Sequence, residues 1–164
     1  MEREDFLRLD DQICFSLHAA ARAFNSVYRA ALKDLGLTYP QYLVMLVLWE
    51  HDEQPVKKIG ERLRLDSGTL SPLLKRLEAA GHVERRRSVE DERSVAVRLT
   101  AEGRALRERA RAVPRAIAES TGLSLDEVRD LRLRLNQLTD ALDGRSGGSG
   151  GGGETGRVSR ECVR

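Results

Sequence analysis

Between Asp10 and about Leu35 apolar residues recur at spacings of three and four. Ile13, Leu17, Ala20, Phe24, Val27 and Ala31 form one stripe, which predicts a long amphipathic helix. Gly36 is suited to end it. Thr38–Tyr39–Pro40 opens a second helix, with Thr38 or Tyr39 near the N-cap and Pro40 at the first helical position. That helix runs to about His51 and is apolar nearly all round, which predicts a central place in the core. Val56–Leu63 reads as a short helix with Ile59 and Leu63 on one face, followed by a turn at Arg64–Leu65–Asp66. Ser67–Ala80 places Leu70, Leu73, Leu74 and Leu77 inward and Ser67, Gly68, Thr69, Ser71, Lys75 and Arg76 outward. Gly81 stops this helix. Val83 and Val95–Val97–Leu99 alternate as two strands around an arginine-rich hairpin, Glu84 to Arg93.

The C-terminal half is helical again. A helix begins at Ala101, and Pro114 should interrupt or kink it. Ser124–Leu125–Asp126–Glu127 matches a capping box and starts a last helix ending near Asp143–Gly144, striped by Leu125, Leu131, Leu135, Leu138 and Leu142. From Ser146 the chain turns Gly/Ser-rich and then polar, so residues 146–164 are expected to be disordered.

These elements predict a mainly α fold with a small β-wing. Two helices joined by a tight turn and followed by a hairpin have the shape of a winged helix-turn-helix, whose second helix enters the DNA major groove. Residues 1–145 form that domain, with a DNA-binding lobe at about 55–100 and terminal helices at about 8–36 and 103–143. The terminal helices carry more apolar surface than the small lobe can cover. The economical arrangement packs them together and against a second copy as a dimerisation platform, which suits a twofold DNA reader. Packing within a monomer core is the alternative.

Charge sharpens this picture. The net charge of +2 is uneven: residues 1–54 carry −4, residues 55–100 carry +4 and residues 101–164 carry +2. The basic excess sits on the proposed reading module, as phosphate binding requires. No apolar run approaches the roughly 20 residues of a membrane span, and no signal peptide is evident, so no membrane partner and a cytoplasmic location are expected. The 2 cysteines cannot build a disulfide framework. His18, His51 and His82 are scattered, read as surface or core residues, and no metal or other cofactor is expected.

Cys14 precedes every other cysteine by far, since Cys162 lies in the tail. It falls in the first turns of a helix, where free N–H groups and the positive dipole end favour an anion. An ionised, reachable thiol can sense peroxide; a buried one is a small core residue. Both readings stand on the residues alone.

The segments Leu65–Glu78 and Asp91–Glu92–Arg93–Ser94 with Leu99–Thr100 resemble the MarR family of winged-helix repressors. Gln12–Ile13–Cys14–Phe15, Tyr28, Leu37–Thr38–Tyr39–Pro40–Gln41–Tyr42 and Leu48–Trp49–Glu50–His51 are similar to its organic-hydroperoxide-sensing, OhrR-type branch. The likeness covers roughly Leu7–Leu142. It implies a homodimeric repressor, not an enzyme, that leaves a pseudo-palindromic double-stranded operator when Cys14 is oxidised by an organic hydroperoxide. It implies that Tyr28 and Tyr39 of the other subunit hydrogen-bond the sulfur. Phe15, Phe24 and Tyr42 would favour organic peroxides. Ser67, Thr69, Ser71 and Arg76 would face the major groove, with Lys75 near phosphate. Arg93 would enter the minor groove, oriented by Asp91, and Arg85, Arg86 and Arg87 would contact backbone. A low-molecular-weight thiol would cap the oxidised sulfur, with Cys162 either a possible resolving thiol or an incidental one. Two other functions stay open on the sequence: a MarR-type regulator that binds a small phenolic effector with Cys14 inert, and a thiol peroxidase, which would have no use for a recognition helix.

Overall fold

The computed structural model describes residues 7–87 and 94–146. It divides into two units, one ending at Thr121 and the other starting at Gly122. In the first, a single 3-10 turn, Leu9–Asp11, precedes α1, Ile13–Ala31, and another, Lys33–Leu35, follows it. The stripe from Asp10 to Leu35 is therefore one α-helix with a tighter turn at each end. Gly36 takes the left-handed conformation (φ 65°) and closes the second turn.

Thr38 is the N-cap of α2, Tyr39–Glu50, in a reciprocal capping box. Its backbone N–H donates to Gln41 Oε1 (2.9 Å), and its hydroxyl accepts from the Gln41 N–H (3.4 Å). Tyr39 is thus the first helical residue and Pro40 the second, one position later than the sequence reading placed it. Both lie among the N–H groups that have no helical partner in any case. α2 is the centre of the core: Val44, Met45 and Leu48 are fully enclosed, beside Leu32, Ile59, Leu77 and Val97.

The strand β1, Gln54–Pro55, was not anticipated. It pairs antiparallel with β3, Val95–Leu99, which also pairs with β2, Val83–Arg87, giving the order β1-β3-β2. A two-residue strand has no alternation to read, and Pro55 is tolerated because β1 lies at an edge. α3, Val56–Leu63, and α4, Ser67–Ala79, lie where the periodicity put them, and Leu70, Leu73, Leu74 and Leu77 are buried as expected.

The helix after the wing is broken in two: α5, Ala101–Ala110, and α6, Ala112–Thr121. The break falls at Arg111, one turn before Pro114, because proline has no N–H to offer the carbonyl four residues earlier.

The start of α5 is pinned to the turn between α4 and β2. Thr100 caps α5 through the Gly103 N–H (3.0 Å), donates its hydroxyl to the Gly81 carbonyl (2.6 Å) and its N–H to the His82 carbonyl (3.1 Å). Gly103 lies so close to His82 that a Cβ there would stand 2.0 Å from the His82 carbonyl oxygen. Trp49 of α2 donates its indole N–H to the Gly103 carbonyl (2.9 Å). His82 in turn donates its backbone N–H to Leu77 in α4 (3.0 Å).

The second unit contains α7, Leu125–Ser146, whose start is the anticipated capping box: Ser124 N–H to Glu127 Oε2 (2.8 Å) and Glu127 N–H to the Ser124 hydroxyl (3.3 Å). Among the described residues no helix is long and apolar enough to cross a membrane. The tail from 147 to 164, with Cys162, lies outside the described residues.

Candidate DNA interface and thiol site

The turn between α3 and α4 depends on three local features. Arg64 is left-handed (φ 54°), and Gly60 leaves room for the Leu65 carbonyl, which a Cβ would meet at 2.9 Å. Asp66 caps α4 by accepting the Thr69 N–H (2.8 Å) and the Thr69 hydroxyl (3.0 Å), and these bonds hold its carboxyl below the usual range. The outward row on α4, Ser67, Thr69, Ser71, Lys75 and Arg76, is exposed as anticipated. One detail differs: the Thr69 hydroxyl proton already goes to Asp66, so toward a ligand that oxygen can only accept.

The wing arginines are not simply solvated. Arg85 is held by Glu78 of α4 through three contacts: its backbone N–H to Oε1 (3.1 Å), Nε to Oε2 (2.9 Å) and Nη2 to Oε2 (2.7 Å). The arginine contacts lower the Glu78 carboxyl pKa. Arg86 pairs with Glu84 (3.3 Å), which also accepts from Arg98. Arg85 therefore ties the wing to α4. Sequence reasoning singled out neither Glu78 nor Glu84, because a pair across a turn and a strand has no fixed spacing. Asp91 and Arg93, expected at the wing tip, lie outside the described residues.

Cys14 is the second residue of α1 and is exposed. Phe15 beside it and Phe24 further along the helix are exposed too, as is Ile13 at 67%. No residue of α1 is buried. The tyrosines lie elsewhere. The Tyr28 and Tyr39 ring centroids are 4.5 Å apart, Tyr28 and Tyr42 6.0 Å, and Tyr42 meets Trp49 edge-on at 6.2 Å. Burial, with the neighbouring Tyr39 and Tyr42, pushes the Tyr28 phenol from 10.0 up to about 12. Burial raises Tyr39 and Tyr42 as well. All three are therefore neutral O–H donors near neutral pH.

Cys14 and Tyr28 stand on the same uninterrupted helix, and at about 1.5 Å of rise per residue they are roughly 21 Å apart along its axis. The structure thus brings Tyr28 to Tyr39 but leaves Cys14 far from both within one chain. Among the described residues no group of three or more His, Cys, Asp or Glu is placed to hold a metal ion.

The chain matches the family model described as transcriptional regulator SarA/Rot over residues 26–109. It is 52% identical to the HTH-type transcriptional regulator TtmR of Methylorubrum extorquens, over 87% of this chain and 73% of that protein. It is 45% identical to the organic hydroperoxide resistance transcriptional regulator of Bacillus subtilis, over 84% of this chain and 94% of that one. Among solved structures, reduced AbfR bound to DNA superposes with a TM-score of 0.69 at 41% identity, covering 85% of this chain and 96% of AbfR. AbfR is from Staphylococcus epidermidis, and it has also been solved in an overoxidised form bound to DNA and with a disulfide formed.

Proposed function

We propose that this chain, which belongs to the SarA/Rot-type winged-helix transcriptional regulators of MarR-like fold, is a repressor released from its operator when an organic hydroperoxide oxidises Cys14. Its family is one of DNA-binding regulators, and it is not an enzyme.

The observation that carries the sensing reading is the placement of sulfur and phenols on α1. Cys14 is exposed at one end, and Tyr28, with the Tyr39 ring tilted against it, stands near the other. Two copies of α1 crossing antiparallel near Ala21, the midpoint, would set each Cys14 against the other chain's tyrosines and complete two sites. The unburied apolar face of α1 supports such a contact, and so do the exposed leucines of α7, among them Leu125 at 69% and Leu133 at 54%. The name of the Bacillus subtilis relative, an organic hydroperoxide resistance regulator, supports an organic hydroperoxide as the oxidant.

The chemistry follows from these groups. The Cys14 thiolate attacks the terminal peroxide oxygen. A sulfur–oxygen bond forms, the O–O bond breaks, and with one proton the products are an alcohol and the sulfenic acid. Neutral phenols donate hydrogen bonds to the sulfur and to the peroxide. A low-molecular-weight thiol then condenses with the sulfenic acid, releasing water and leaving a mixed disulfide. Either product adds polar bulk between packed helices and shifts two recognition helices out of register with a pseudo-palindromic operator.

On DNA, Ser67, Thr69, Ser71 and Arg76 read the major groove and Lys75 meets phosphate. The wing reaches the minor groove through Arg93, oriented by Asp91. Arg85 serves chiefly as the tie to Glu78. A phenolic effector is the weaker reading. The clefts on either side of Trp49, about 200 Å³ beside Tyr42 and Leu46 and about 380 Å³ beside Asp52 and Arg104, could take a small aromatic ligand. No relative named above points to one, whereas the Bacillus subtilis relative's name supports hydroperoxide.

The test is an operator titration with and without cumene hydroperoxide on the wild type and Cys14→Ser. The serine variant should bind DNA and keep it under peroxide. Equal release of both proteins would refute the sensor assignment.

A further inference from the structure

The sensing reading leaves open how a change at the tyrosines reaches DNA. A continuous series of contacts runs from the tyrosines to the last turn of α4. The Tyr39 and Tyr28 rings pack tilted with centroids 4.5 Å apart, Tyr28 reaches Tyr42 at 6.0 Å, and Tyr42 meets Trp49 at 6.2 Å. Trp49 is bonded to the Gly103 carbonyl at 2.9 Å. Gly103 presses on the His82 carbonyl with no space for even a methyl group. His82 is bonded to Leu77 in the last turn of α4, and Thr100 fixes Gly81 and His82 to the same helix start.

We propose that Trp49 is the positioning residue through which the tyrosine cluster sets the placement of the recognition helix, and so transmits Cys14 oxidation to DNA. The inference rests on the sensing reading above and adds a named route to it.

Three physical features favour this route. The aromatic rings at its start are packed, and packed interiors pass displacement on rather than absorb it. The link from Trp49 to α5 is a hydrogen bond to backbone, so it moves α5 itself and not a flexible side chain. The step from α5 to the α4–β2 turn is backbone against backbone, with no compressible side chain between. A shift of Tyr28 caused by a bulkier sulfur group on the opposing chain therefore has a stiff path to the end of α4.

The chain contains 1 tryptophan, so its emission reports Trp49 alone. Two measurements are made on the full chain with cumene hydroperoxide as oxidant. The first follows Trp49 emission in the wild type and in Cys14→Ser; peroxide should change it in the wild type only. The second compares operator Kd before and after oxidation for the wild type and Trp49→Phe, with Cys14 oxidation followed by intact mass. Trp49→Phe keeps an aromatic ring but loses the bond to Gly103. It should oxidise to the same extent as the wild type, and its own reduced operator Kd, weaker where the lost bond to Gly103 loosens the end of α4, is the reference for its oxidised Kd. Its oxidised-to-reduced Kd ratio should fall by about tenfold, within the usual range of coupling between sites. Full release of oxidised Trp49→Phe, or unchanged Trp49 emission while the wild type leaves DNA, overturns the route. Release of Cys14→Ser by peroxide, or an oxidised wild type that stays bound, instead overturns the sensing reading and the route with it. The emission arm needs no variant of Trp49, so misfolding of Trp49→Phe would not shield the proposal.

Discussion

Gly103→Ala would drive a methyl group to within 2.0 Å of the His82 carbonyl oxygen, with the His82 carbonyl carbon at 3.0 Å and Leu99 Cδ2 at 3.3 Å behind it. The first two are backbone atoms, so no side chain can swing aside. Either α5 retreats or the turn after α4 does. Overpacking of this kind costs about 1–3 kcal/mol where the surroundings can yield. Retreat would also stretch the Thr100-to-His82 and Trp49-to-Gly103 hydrogen bonds, each worth about 1 kcal/mol. Together the loss is on the order of 3–5 kcal/mol, against a total stability of about 5–15 kcal/mol for a domain. At roughly 3–5 °C per kcal/mol for a domain near this size, Tm should fall by some 10–20 °C. Thermal unfolding followed by far-ultraviolet circular dichroism on reduced protein measures it, with Gly144→Ala as control, where an added Cβ meets nothing within 4 Å. A Gly103→Ala protein melting within about 3 °C of wild type would refute the reasoning, because at the ~3–5 °C per kcal/mol above it would leave under about 1 kcal/mol for the whole clash.

The chain's 3 tyrosines are Tyr28, Tyr39 and Tyr42, so alkaline titration of phenolate absorbance reads the cluster alone. No phenol should titrate at the ordinary 10.0, and Tyr28 should ionise at about 12. A folded-state pKa above the unfolded one means a contribution to stability fully present below about pH 10 and lost as pH rises through about 12, so alkaline denaturation should begin in that window. A full tyrosine titration at pH 10 in folded protein would contradict the packing. Arg85→Ala should weaken operator binding a few-fold while leaving the salt dependence of Kd unchanged, because Arg85 acts through Glu78. A salt slope reduced by about one would instead mark Arg85 as a phosphate contact. Glu78→Gln separates the two readings further: it should weaken binding if the tie matters, and strengthen it if its main effect is to remove a negative charge near DNA.

The reading module was legible because its signals are local. The turn read at Arg64–Leu65–Asp66 and Gly81 after Ala80 mark the two ends of α4, and the leucine spacing between them marks its buried face. Both capping boxes were within reach for the same reason, since Thr38 with Gln41 and Ser124 with Glu127 lie three residues apart. What stayed hidden depends on partners distant in sequence. β1 exists because Gln54 and Pro55 face Val97 and Ala96. Glu78 takes Arg85 only once β2 turns back along α4. Gly103 reads as an ordinary helix-interior glycine until His82 is seen against it. At the thiol, the residue types were readable one by one, whereas the distance from Cys14 to Tyr28 follows only from the length of the uninterrupted α1.

That length has a genetic consequence. If every sensor takes its sulfur from one chain and its phenols from another, neither half can be lost and compensated within the same polypeptide. A Cys14→Ser subunit keeps sound tyrosines, and a Tyr28→Phe subunit keeps a sound sulfur. Each should be peroxide-blind when made alone. In a cell producing both, the mixed dimer joins the intact sulfur of one to the intact phenols of the other at one of its two sites, and places both lesions together at the second. Each variant alone holds the operator under peroxide and so acts dominantly on it; the two should complement only within the mixed dimer, and the responsive fraction should follow the abundance of mixed dimers.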